Sequence, residues 1–527
     1  MVQEIARSIV DYLAIHAKDR GEKTAVICGD QQLSFRDIDD LSARSRRVFK
    51  NLQLERGDRV ALLMCDCPEW IVAFLGVIGL GGIAVPCSTM LSGADVRSIL
   101  NDCGARMAVI TSDQLALMQA VLSEQSPPKL EVALVAGGGV LKAEQVRTLS
   151  FETMLAQPAT EPLADFEPDT PAFILYTSGS TGAPKGVVHT HGDIIYTIEK
   201  AGRGVYSITK NDRIFSSSRL FFAYGFGNSF SFPLGLGATS ILCRERPKPE
   251  VIARIFVEQR PTIFFGVPPV FRALHDYRRQ GHSLDTSSLR FCASAGEALP
   301  ARIFNEWRNE LGLQVLDTLG STELLHVFIA NRLDRISPGS SGVPVPGYEV
   351  RLLDEAGQLI TGPGQGELQV KGASAFSCYW NRPEKTAETT DQGWVKTGDL
   401  YRRDKAGFYW HEGRCDDMFK AKGMWISPME IEEAFGTDDA VIEAAVVPER
   451  DTDGTNLVAA YVVLRPGMMA DKEMIDRLKA DAGAKLPRYK RPERIYFLAE
   501  LPRTVTGKVQ RYKLREQSTT ALQMNKC

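Results

Sequence analysis

The sequence has no excess of basic charge. Its 62 lysines and arginines are matched by 65 aspartates and glutamates, so the formal net charge of the 527 residues is −3. A chain with this balance offers no broad positive field to a phosphate backbone, and we expect no nucleic-acid partner. The chain is 44% apolar and 24% charged, which is typical of globular proteins. At roughly 150 residues per domain, its length predicts two to four structural units.

Paired metal-binding cysteines are also missing. The ten cysteines are scattered along the chain, and only Cys65 and Cys67 lie close together, in an apolar stretch. Without a second pair of ligands, these two residues indicate buried thiols rather than a metal site. Scattered thiols are typical of a reducing compartment, so the composition predicts a cytoplasmic protein.

Neither the first residues nor the long uncharged stretch that follows them has the pattern expected of a targeting or membrane segment. Residues 1–13 carry acidic side chains early and no cleavage signal, so we expect no signal peptide. Residues 70–94 are uncharged, but they contain a Gly81-Gly82 pair and Pro86. We interpret this stretch as a buried helix, a turn and a buried strand, and we expect no membrane partner.

The most informative stretch runs from Leu175 to His191 and reads LYTSGSTGAPKGVVHTH. An apolar run, 172–176, predicts a short buried strand, and residues 177–186 then supply hydroxyl groups, three glycines and a lysine. Glycines let backbone N–H groups turn toward a ligand, and the hydroxyls and the ammonium can bind phosphate oxygens. The candidate phosphate ligands are Thr177, Ser178, Gly179, Ser180, Thr181 and Lys185.

This loop is not the Walker A motif of P-loop NTPases. That motif requires Gly-Lys-Ser/Thr, whereas Lys185 lies between Pro184 and Gly186. A loop rich in glycine, serine and threonine can also be an ordinary solvated surface loop. The buried strand before it and the apolar run after it favour nucleotide binding.

Alternating patterns over residues 20–135 predict a mainly parallel sheet with helices on its faces. Ser34 and Asp37 form a capping-box pattern, which predicts a helix that reaches about Leu52. The predicted strands of this region are residues 23–28, 59–64, 83–87, 105–111 and 130–135.

Residues 218–232 read SRLFFAYGFGNSFSF and are rich in aromatic side chains. The pattern is typical of a core helix, yet Gly225, Gly227 and Asn228 are unfavourable inside such a helix. The alternative is an aromatic wall of a small-molecule pocket, since planar side chains match a planar substrate. The sequence leaves both interpretations open.

Two later stretches repeat the pattern of a strand followed by small residues, LRFCASAGEALP at 289–300 and VLDTLGSTE at 315–323. In the second, Thr322 can donate to a phosphate oxygen, and Glu323 can hold Mg²⁺, which prefers carboxylate and phosphate oxygens. Residues 501–511, LPRTVTGKVQR, place Lys508 after a glycine. Because Gly507 lets the backbone bend, we expect the Lys508 ammonium to lie on a mobile tip.

Together these stretches resemble the acyl-adenylate-forming superfamily, which includes acyl- and aryl-CoA ligases, peptide-synthetase adenylation domains and firefly luciferase. The resemblance covers about residues 20–515. Most members have a histidine where Phe222 stands, and the FFAYG sequence found here is similar to aryl-CoA ligases of the benzoate and 2-aminobenzoate type.

The resemblance implies an α/β fold of two domains. The large N-terminal domain, residues 1–413, would contain two subdomains with parallel-type α/β sheets and a small β unit. A hinge at 414–416 would turn at Asp416, and residues 417–527 would form a small, mobile α+β domain.

The resemblance also assigns roles to individual residues. The catalytic residues would be Lys508, Glu323 and Thr322, with Glu323 as the magnesium ligand. Besides the phosphate loop, ATP would contact Ala295, Gly296, Glu297, Asp317, Asp399 and Arg414. The substrate would contact Ala223, Tyr224, Gly320, His326, Val327 and Lys420. We interpret His326 as a binding residue, because a carboxylate is already a nucleophile and needs no base.

The implied reaction has two halves and uses ATP, Mg²⁺ and coenzyme A. An aromatic carboxylate and MgATP give acyl-AMP and pyrophosphate, and after rotation of the small domain the thiol of CoA displaces AMP. Residues 485–515 hold ten lysines or arginines against two glutamates. That run is either a solvated basic face or a surface for the phosphates of CoA.

Three alternatives use the same residues: loading of a carrier protein instead of CoA, luciferase-like oxygen chemistry, and non-catalytic nucleotide binding. The 527 residues contain no carrier-protein segment, and nothing in them indicates oxygen chemistry. The presence of Lys508, Glu323 and Asp399 argues against a non-catalytic module.

Benzoate and its amino, hydroxy and halo derivatives all remain candidate substrates, since one small group is worth only ~1–3 kcal/mol. A homodimer is compatible with the sequence.

Overall fold

A computed structural model describes residues 6–158, 161–177, 184–421, 424–451, 454–503 and 509–516. The chain divides into two units. The N-terminal unit comprises Met1–Val350 and Val370–Lys396, and the C-terminal unit comprises Arg351–Gln369 and Thr397–Cys527. The hinge at 414–416 concerns motion, so it stays a prediction, as do the domain bounds that depend on it.

Two mainly parallel sheets form the framework of the N-terminal unit. In spatial order, the first sheet consists of Arg147–Ser150, Val132–Ala136, Met107–Thr111, Arg59–Leu63, Ile83–Cys87, Pro171–Thr177, Lys185–Thr190 and Cys378–Tyr379. The second consists of Gln31–Ser34, Thr24–Cys28, Thr239–Leu242, Arg213–Ser216, Ile263–Gly266, Phe291–Ser294, Val315–Gly320, Val327–Ala330 and Val343–Pro344. The central strands run parallel, whereas the strands that begin at Lys185 and Val327 pair antiparallel with their neighbours.

Helices alternate with these strands along the chain. The α-helices of the N-terminal unit are Ile9–Arg20, Phe35–Asn51, Pro68–Gly79, Gly93–Cys103, Leu115–Leu122, Phe151–Leu155, His191–Thr197, Ala223–Phe226, Phe232–Leu236, Pro249–Gln259, Pro268–Arg279, Ala301–Leu311 and Pro383–Thr389. Two π-helical segments, Ile198–Arg203 and Gly227–Ser231, interrupt the series. No helix among the described residues is both long enough and apolar enough to cross a bilayer.

The local predictions for the first 135 residues are confirmed, with one difference in pairing. The helix Phe35–Asn51 begins with the predicted capping box, in which Asp37 N–H donates to Ser34 Oγ and Ser34 N–H donates to the Asp37 carboxylate. The strand Thr24–Cys28 lies in the second sheet, beside Thr239–Leu242, rather than with the strands that follow it in sequence. Local pattern predicts a strand but does not identify its partner.

The described residues after 348 form three further sheets, and those from 417 onward combine strands with helices, as expected for an α+β unit. A five-stranded sheet contains Glu349–Leu353, Gly364–Lys371, Trp394–Arg403, Thr390–Asp391 and Tyr409–Arg414. A hairpin, Phe419–Ala421 and Met424–Ile426, precedes a three-stranded sheet of Val441–Arg450, Asn456–Leu464 and Arg494–Phe497. The helices Pro428–Gly436 and Lys472–Lys485 share a buried apolar core with that sheet.

Candidate active site

The strands that enter and leave the predicted phosphate loop lie side by side. Pro171–Thr177 and Lys185–Thr190 are antiparallel, with Thr177 opposite Lys185. Residues 178–183 lie outside the described residues, and so do the predicted ligands Ser178, Gly179, Ser180 and Thr181. Thr177 and Lys185, the two predicted ligands that the structure describes, are thus neighbours on adjacent strands.

Lys185, Tyr379 and Glu323 form a continuous cluster beside these strands. Lys185 Nζ lies 4.9 Å from the centre of the Tyr379 ring, within the range of a cation–π interaction. The Tyr379 hydroxyl donates a 2.7 Å hydrogen bond to Glu323 Oε1. One aromatic ring therefore joins the phosphate-loop lysine to the predicted magnesium ligand.

Three hydrogen bonds from two separate segments fix the backbone that carries Thr322 and Glu323. The short 3₁₀ turn Thr322–Leu324 presents three carbonyl groups. In chain order, these accept hydrogen bonds from His189 Nε2 at 2.7 Å, from the Phe376 N–H at 2.8 Å and from Ser374 Oγ at 2.9 Å. The predicted phosphate and metal ligands are therefore held by the body of the N-terminal unit.

His189 and Tyr379 are the residues that the sequence analysis missed. His189 is fully buried, and its Nδ1 lies 2.7 Å from Asp193 Oδ2. A histidine in an otherwise apolar strand must find polar partners, so the letters VVHTH contained a usable signal. Tyr379 gave no such signal, because a tyrosine at a strand edge is ordinary.

A strained turn separates Glu323, the predicted magnesium ligand, from His326. Leu325 has φ of 65° and ψ of −41°, and the His326 N–H donates to the Leu324 carbonyl at 2.8 Å. This is a γ-turn of the rare, positive-φ type, which costs free energy for any residue with a Cβ. The surrounding contacts must hold it in place.

The aromatic stretch at 218–232 contains core residues, which confirms one of the two interpretations that were considered for it. Phe226 and Phe230 are fully buried and pack against Trp70, Phe74 and Phe173. These phenylalanines are core residues, as the core-helix interpretation predicts.

The two glycines of this stretch are required by close packing. A Cβ at Gly225 would lie 2.0 Å from the Arg219 carbonyl oxygen, and one at Gly227 would lie 2.3 Å from His326 Cδ2. No side chain fits at either position, so the glycines bring the helix against the residues of the predicted aryl site.

Tyr224 and His326 lie together at that site. Their ring centres are 5.4 Å apart, and the Phe232 ring lies 4.6 Å from the imidazole. The Tyr224 hydroxyl and both His326 nitrogens are buried and make no hydrogen bond to a described residue. Burial lowers the pKa of His326 to about 3, weakly opposed by the nearby Tyr224 carbonyl, so the imidazole is neutral at pH 7. Unpaired buried polar atoms are costly, and a polar ligand would satisfy them.

The other predicted aryl contacts of this unit surround the same point. Gly320 ends its strand so close to His326 that an added Cβ would lie 2.7 Å from the His326 carbonyl oxygen. Val327 begins the next strand and is buried. Ala223 begins the helix that carries Tyr224. The structure thus brings together all five predicted aryl contacts of the N-terminal unit.

The predicted adenine turn follows the strand Phe291–Ser294. Ala295 is buried, whereas Gly296 and Glu297 are exposed. Gly296 has φ of 93°, which favours glycine, and the nearest atom to an added Cβ is Val267 Cγ1 at 3.8 Å. Bare backbone is therefore open on one side of the turn.

Asp317 lies on the neighbouring parallel strand, with its Cα paired to that of Ser294. Burial raises the pKa of the Asp317 carboxyl well above its usual range, and the nearby N–H groups of Leu299 and Thr318 only partly oppose this. Neither carboxyl oxygen makes a well-formed hydrogen bond to a described residue. Burial thus favours the protonated carboxyl, which can donate as well as accept.

The C-terminal unit holds the two remaining predicted nucleotide contacts. Asp399 and Arg414 face each other on antiparallel strands, and Arg414 Nη1 donates to Asp399 Oδ1 at 2.9 Å and to the Thr397 carbonyl at 2.8 Å. Gly398 has φ of 70°, and an added Cβ would lie 2.8 Å from Arg414 Nη2. The predicted ribose carboxylate and its neighbouring arginine therefore form an ion pair.

Two other predicted residues of this unit lie at its surface. Asp416 is exposed on a 3₁₀ turn, and Lys420 is exposed on a short strand. Lys508 lies outside the described residues, while Arg503 and Val509 on either side of it form an isolated antiparallel bridge.

Comparison with known proteins matches the chain in two parts. Residues 13–380 match the sequence signature of the AMP-binding enzymes, and residues 430–508 match that of the AMP-binding enzyme C-terminal domain. The chain is 41% identical over 505 residues to the benzoate–CoA ligase of Thauera aromatica, which covers 94% of this chain and 93% of that protein.

Solved structures agree along the full length. An anthranilate CoA ligase in complex with anthranoyl-AMP matches with a TM-score of 0.91 at 35% identity and covers 98% of both chains. A benzoate CoA ligase from Burkholderia xenovorans LB400 matches with a TM-score of 0.87 at 35% identity and covers 96% of this chain and 99% of that one. These matches confirm the predicted α/β fold class and the aryl-CoA ligase branch that the sequence resembles. The chain belongs to the family of AMP-binding enzymes.

Proposed function

We propose that the protein is an ATP-dependent aryl-CoA ligase for benzoate or a substituted benzoate such as 2-aminobenzoate. It would convert the acid and ATP to acyl-AMP and pyrophosphate, and then transfer the acyl group to CoA with release of AMP. One observation carries the proposal: the short segment from Gly320 to Val327 holds the magnesium candidate Glu323 and the unpaired, buried His326 beside Tyr224.

The aromatic acid would lie against Tyr224 and His326. A neutral imidazole offers one N–H donor and one nitrogen acceptor, so His326 can bind a carboxylate or a polar ring substituent. With a pKa of about 3, it does not serve as a base at neutral pH. Its contribution would be to orient the carboxylate for attack.

The triphosphate would contact Thr177 and Lys185, with the Thr322 hydroxyl as a further donor. Glu323 fits a magnesium ligand, because Tyr379 bonds one carboxylate oxygen and a second oxygen is left to share a hard cation with phosphate. When bound, Mg²⁺ supplies positive charge against the charge of the phosphate oxygens. Residues 295–297 with Asp317 would bind adenine, and Asp399 with Arg414 would bind ribose.

The second half-reaction would use the small domain. Lys508 would stabilise the adenylation transition state and then withdraw as the domain rotates about Asp416. The CoA thiol would take its place. Lys420 would then face the site, and basic residues between 485 and 515 would contact the phosphates of CoA.

Product analysis tests the proposal. Purified protein is given ATP, Mg²⁺, CoA and a panel of aryl and alkyl carboxylic acids, and AMP and thioester are measured by chromatography. We expect both products with benzoate-type acids and little with alkyl acids. AMP without thioester would favour loading of a carrier protein, and no AMP with any ring-bearing acid would reject the proposal.

A homodimer, a cytoplasmic location and the lack of nucleic-acid or membrane partners belong to the same proposal. The balanced charge, the scattered thiols and the interrupted uncharged stretch at 70–94 support all of these except the homodimer. Light scattering of the purified protein across a dilution series tests the homodimer directly.

A further inference from the structure

We propose that Tyr379 is a positioning residue that holds Lys185 and Glu323 in a fixed relation, so that the loop lysine and the magnesium carboxylate meet one triphosphate together. The inference rests on the proposed function, because it uses the phosphate role of Lys185 and the magnesium role of Glu323. It adds a residue to which neither the motifs nor the resemblance assigned a role.

Two different parts of the Tyr379 side chain make the two contacts. The hydroxyl donates to Glu323 Oε1 at 2.7 Å, and the ring lies 4.9 Å from Lys185 Nζ. The hydroxyl orients a carboxylate that could otherwise rotate, and the negative face of the ring attracts an ammonium on a flexible stem. Because the contacts are chemically distinct, they can be removed separately.

The Tyr379 ring is held firmly enough to act as a reference point. The residue is 3% exposed, and its strand pairs with the strand that begins at Lys185, with Tyr379 opposite Val187. Its backbone N–H donates to Thr386 Oγ1 at 2.9 Å.

Asp102 ties this segment to the strand that enters the phosphate loop. Its carbonyl accepts from Trp380 Nε1 and from Asn381 Nδ2, each at 3.0 Å. Its carboxylate accepts from the Tyr176 hydroxyl at 2.7 Å and pairs with Arg382 at 3.1 Å. One residue thus anchors both the approach to the loop and the residues that follow Tyr379.

Close packing at Gly186 also holds the strand of Lys185 against the segment of Tyr379. An added Cβ there would lie 2.7 Å from Ile174 Cγ2, 3.0 Å from Tyr176 Cζ and 3.2 Å from Trp380 Cβ. The strand that carries Lys185 therefore lies directly against the segment that carries Tyr379, and the two cannot shift independently.

Equilibrium binding of ATP tests the proposal without turnover. Calorimetry measures the ATP Kd of wild type, Tyr379→Phe and Tyr379→Leu without acid, once with Mg²⁺ and once with EDTA. Tyr379→Phe keeps the ring and loses the hydroxyl, so we expect an unchanged Kd in EDTA and a gain from Mg²⁺ that is smaller by roughly 3–10-fold. Tyr379→Leu should also weaken binding in EDTA, because the cation–π contact is lost.

A matched control is present in the same unit. The Tyr12 hydroxyl donates to Glu199 Oε1 at 2.9 Å, the same kind of bond outside the predicted site. Tyr12→Phe should leave both ATP Kd values at their wild-type levels.

Each outcome decides the question. The hydroxyl role would be overturned if Mg²⁺ strengthened ATP binding by the same factor in Tyr379→Phe as in wild type. The ring role would be overturned if Tyr379→Phe and Tyr379→Leu had the same ATP Kd in EDTA. If Tyr379→Leu does not fold, as judged by circular dichroism, Tyr379→Met, which fills more of the same space but has no ring, takes its place. Its EDTA Kd should then rise, and an unchanged value would overturn the ring role. If the wild-type protein forms no acyl-AMP, the proposed function is wrong. If it does form acyl-AMP and Tyr379→Phe has the same ATP Kd values, only this inference is wrong.

Discussion

The two candidate clusters are built in opposite ways. In the N-terminal unit, Lys185, Glu323 and Tyr379 come from three segments far apart in the chain, and the joining ring is almost fully buried. In the C-terminal unit, Asp399 and Arg414 come from one hairpin, and the Arg414 side chain is 44% exposed. The first cluster depends on packing between distant segments, and the second depends on local strand register.

This difference predicts how strongly each cluster responds to substitution. An exposed ion pair contributes about 0–1 kcal/mol, whereas leaving a buried polar group without its partner costs about 1–3 kcal/mol. We therefore expect larger effects from the N-terminal cluster than from the hairpin. Groups that act only in the transition state are exempt from this rule.

Lys508→Ala should give the largest effect. It is an exception to the expected order of effects, because Lys508 belongs to the C-terminal unit. Loss of one preorganised cation should lower the adenylation rate on the order of 10²–10³-fold. Thioester formation from synthetic acyl-AMP should survive, and single-turnover assays of each half-reaction measure this. Equal losses in both halves would contradict the two-conformer mechanism.

Glu323→Gln sharpens the comparison from the N-terminal side. The amide oxygen can still accept from Tyr379, but the charge that would hold Mg²⁺ is gone, so adenylation should fall about 10²-fold. Pyrophosphate release across a Mg²⁺ titration measures the loss. Asp399→Asn is the counterpart in the hairpin and should change the ATP KM only about 3-fold. A larger loss from Asp399→Asn would reverse the comparison.

Acid should destabilise the N-terminal unit through its buried histidines. His191 stacks on Phe166 with ring centres 4.0 Å apart, and burial lowers its pKa to about 4. In the unfolded chain this histidine has a pKa of about 6.5 and binds a proton below that pH. In the folded chain it binds a proton only below about pH 4. This histidine should therefore remove about 3 kcal/mol of stability as the pH falls between those values.

Denaturant unfolding of wild type and His191→Leu at a series of pH values measures that contribution. The variant should lose less stability on acidification, whereas His282→Leu at an exposed position should behave like wild type. The comparison of variants is needed because burial raises the pKa of Asp66 to about 6. Protonation of this carboxyl adds stability as the pH falls through part of the same range. Parallel curves for wild type and His191→Leu would contradict the prediction.

His326→Ala should give a smaller effect than Lys508→Ala or Glu323→Gln, and the effect should be confined to one substrate. The KM for benzoate should rise about 10-fold through loss of one polar contact, and the ATP KM should change less than 2-fold. Initial rates with each substrate varied separately measure both constants. An unchanged benzoate KM would remove His326 from the aryl pocket.

Local structure was largely predictable from the sequence, because its causes are local. Ser34 and Asp37 set the start of a helix three residues apart, and the strand Ile83–Cys87 follows from an apolar run after a glycine pair. The partner of Thr24–Cys28 was not predictable, since it lies beyond residue 238. Pairing across such a distance leaves no mark in a local pattern.

The candidate site shows the same limit. Quoted motifs and the family resemblance predicted Lys185, Glu323 and His326, but not the groups that hold them. Tyr379 reaches Glu323 across 56 positions of sequence, and His189 reaches Thr322 across 133. Whether such a hydrogen bond forms depends on the packing of whole strands.

The γ-turn at Leu325 fixes the spacing between Glu323 and His326, the proposed magnesium ligand and the proposed aryl contact. A γ-turn reverses the chain within three residues. We therefore expect that deletion or insertion of one residue between Glu323 and His326 would displace the imidazole relative to the carboxylate. We also expect that the proposed site would accommodate other acids by exchange of wall side chains such as Ala223 or Val327, while the number of residues in this link stays constant.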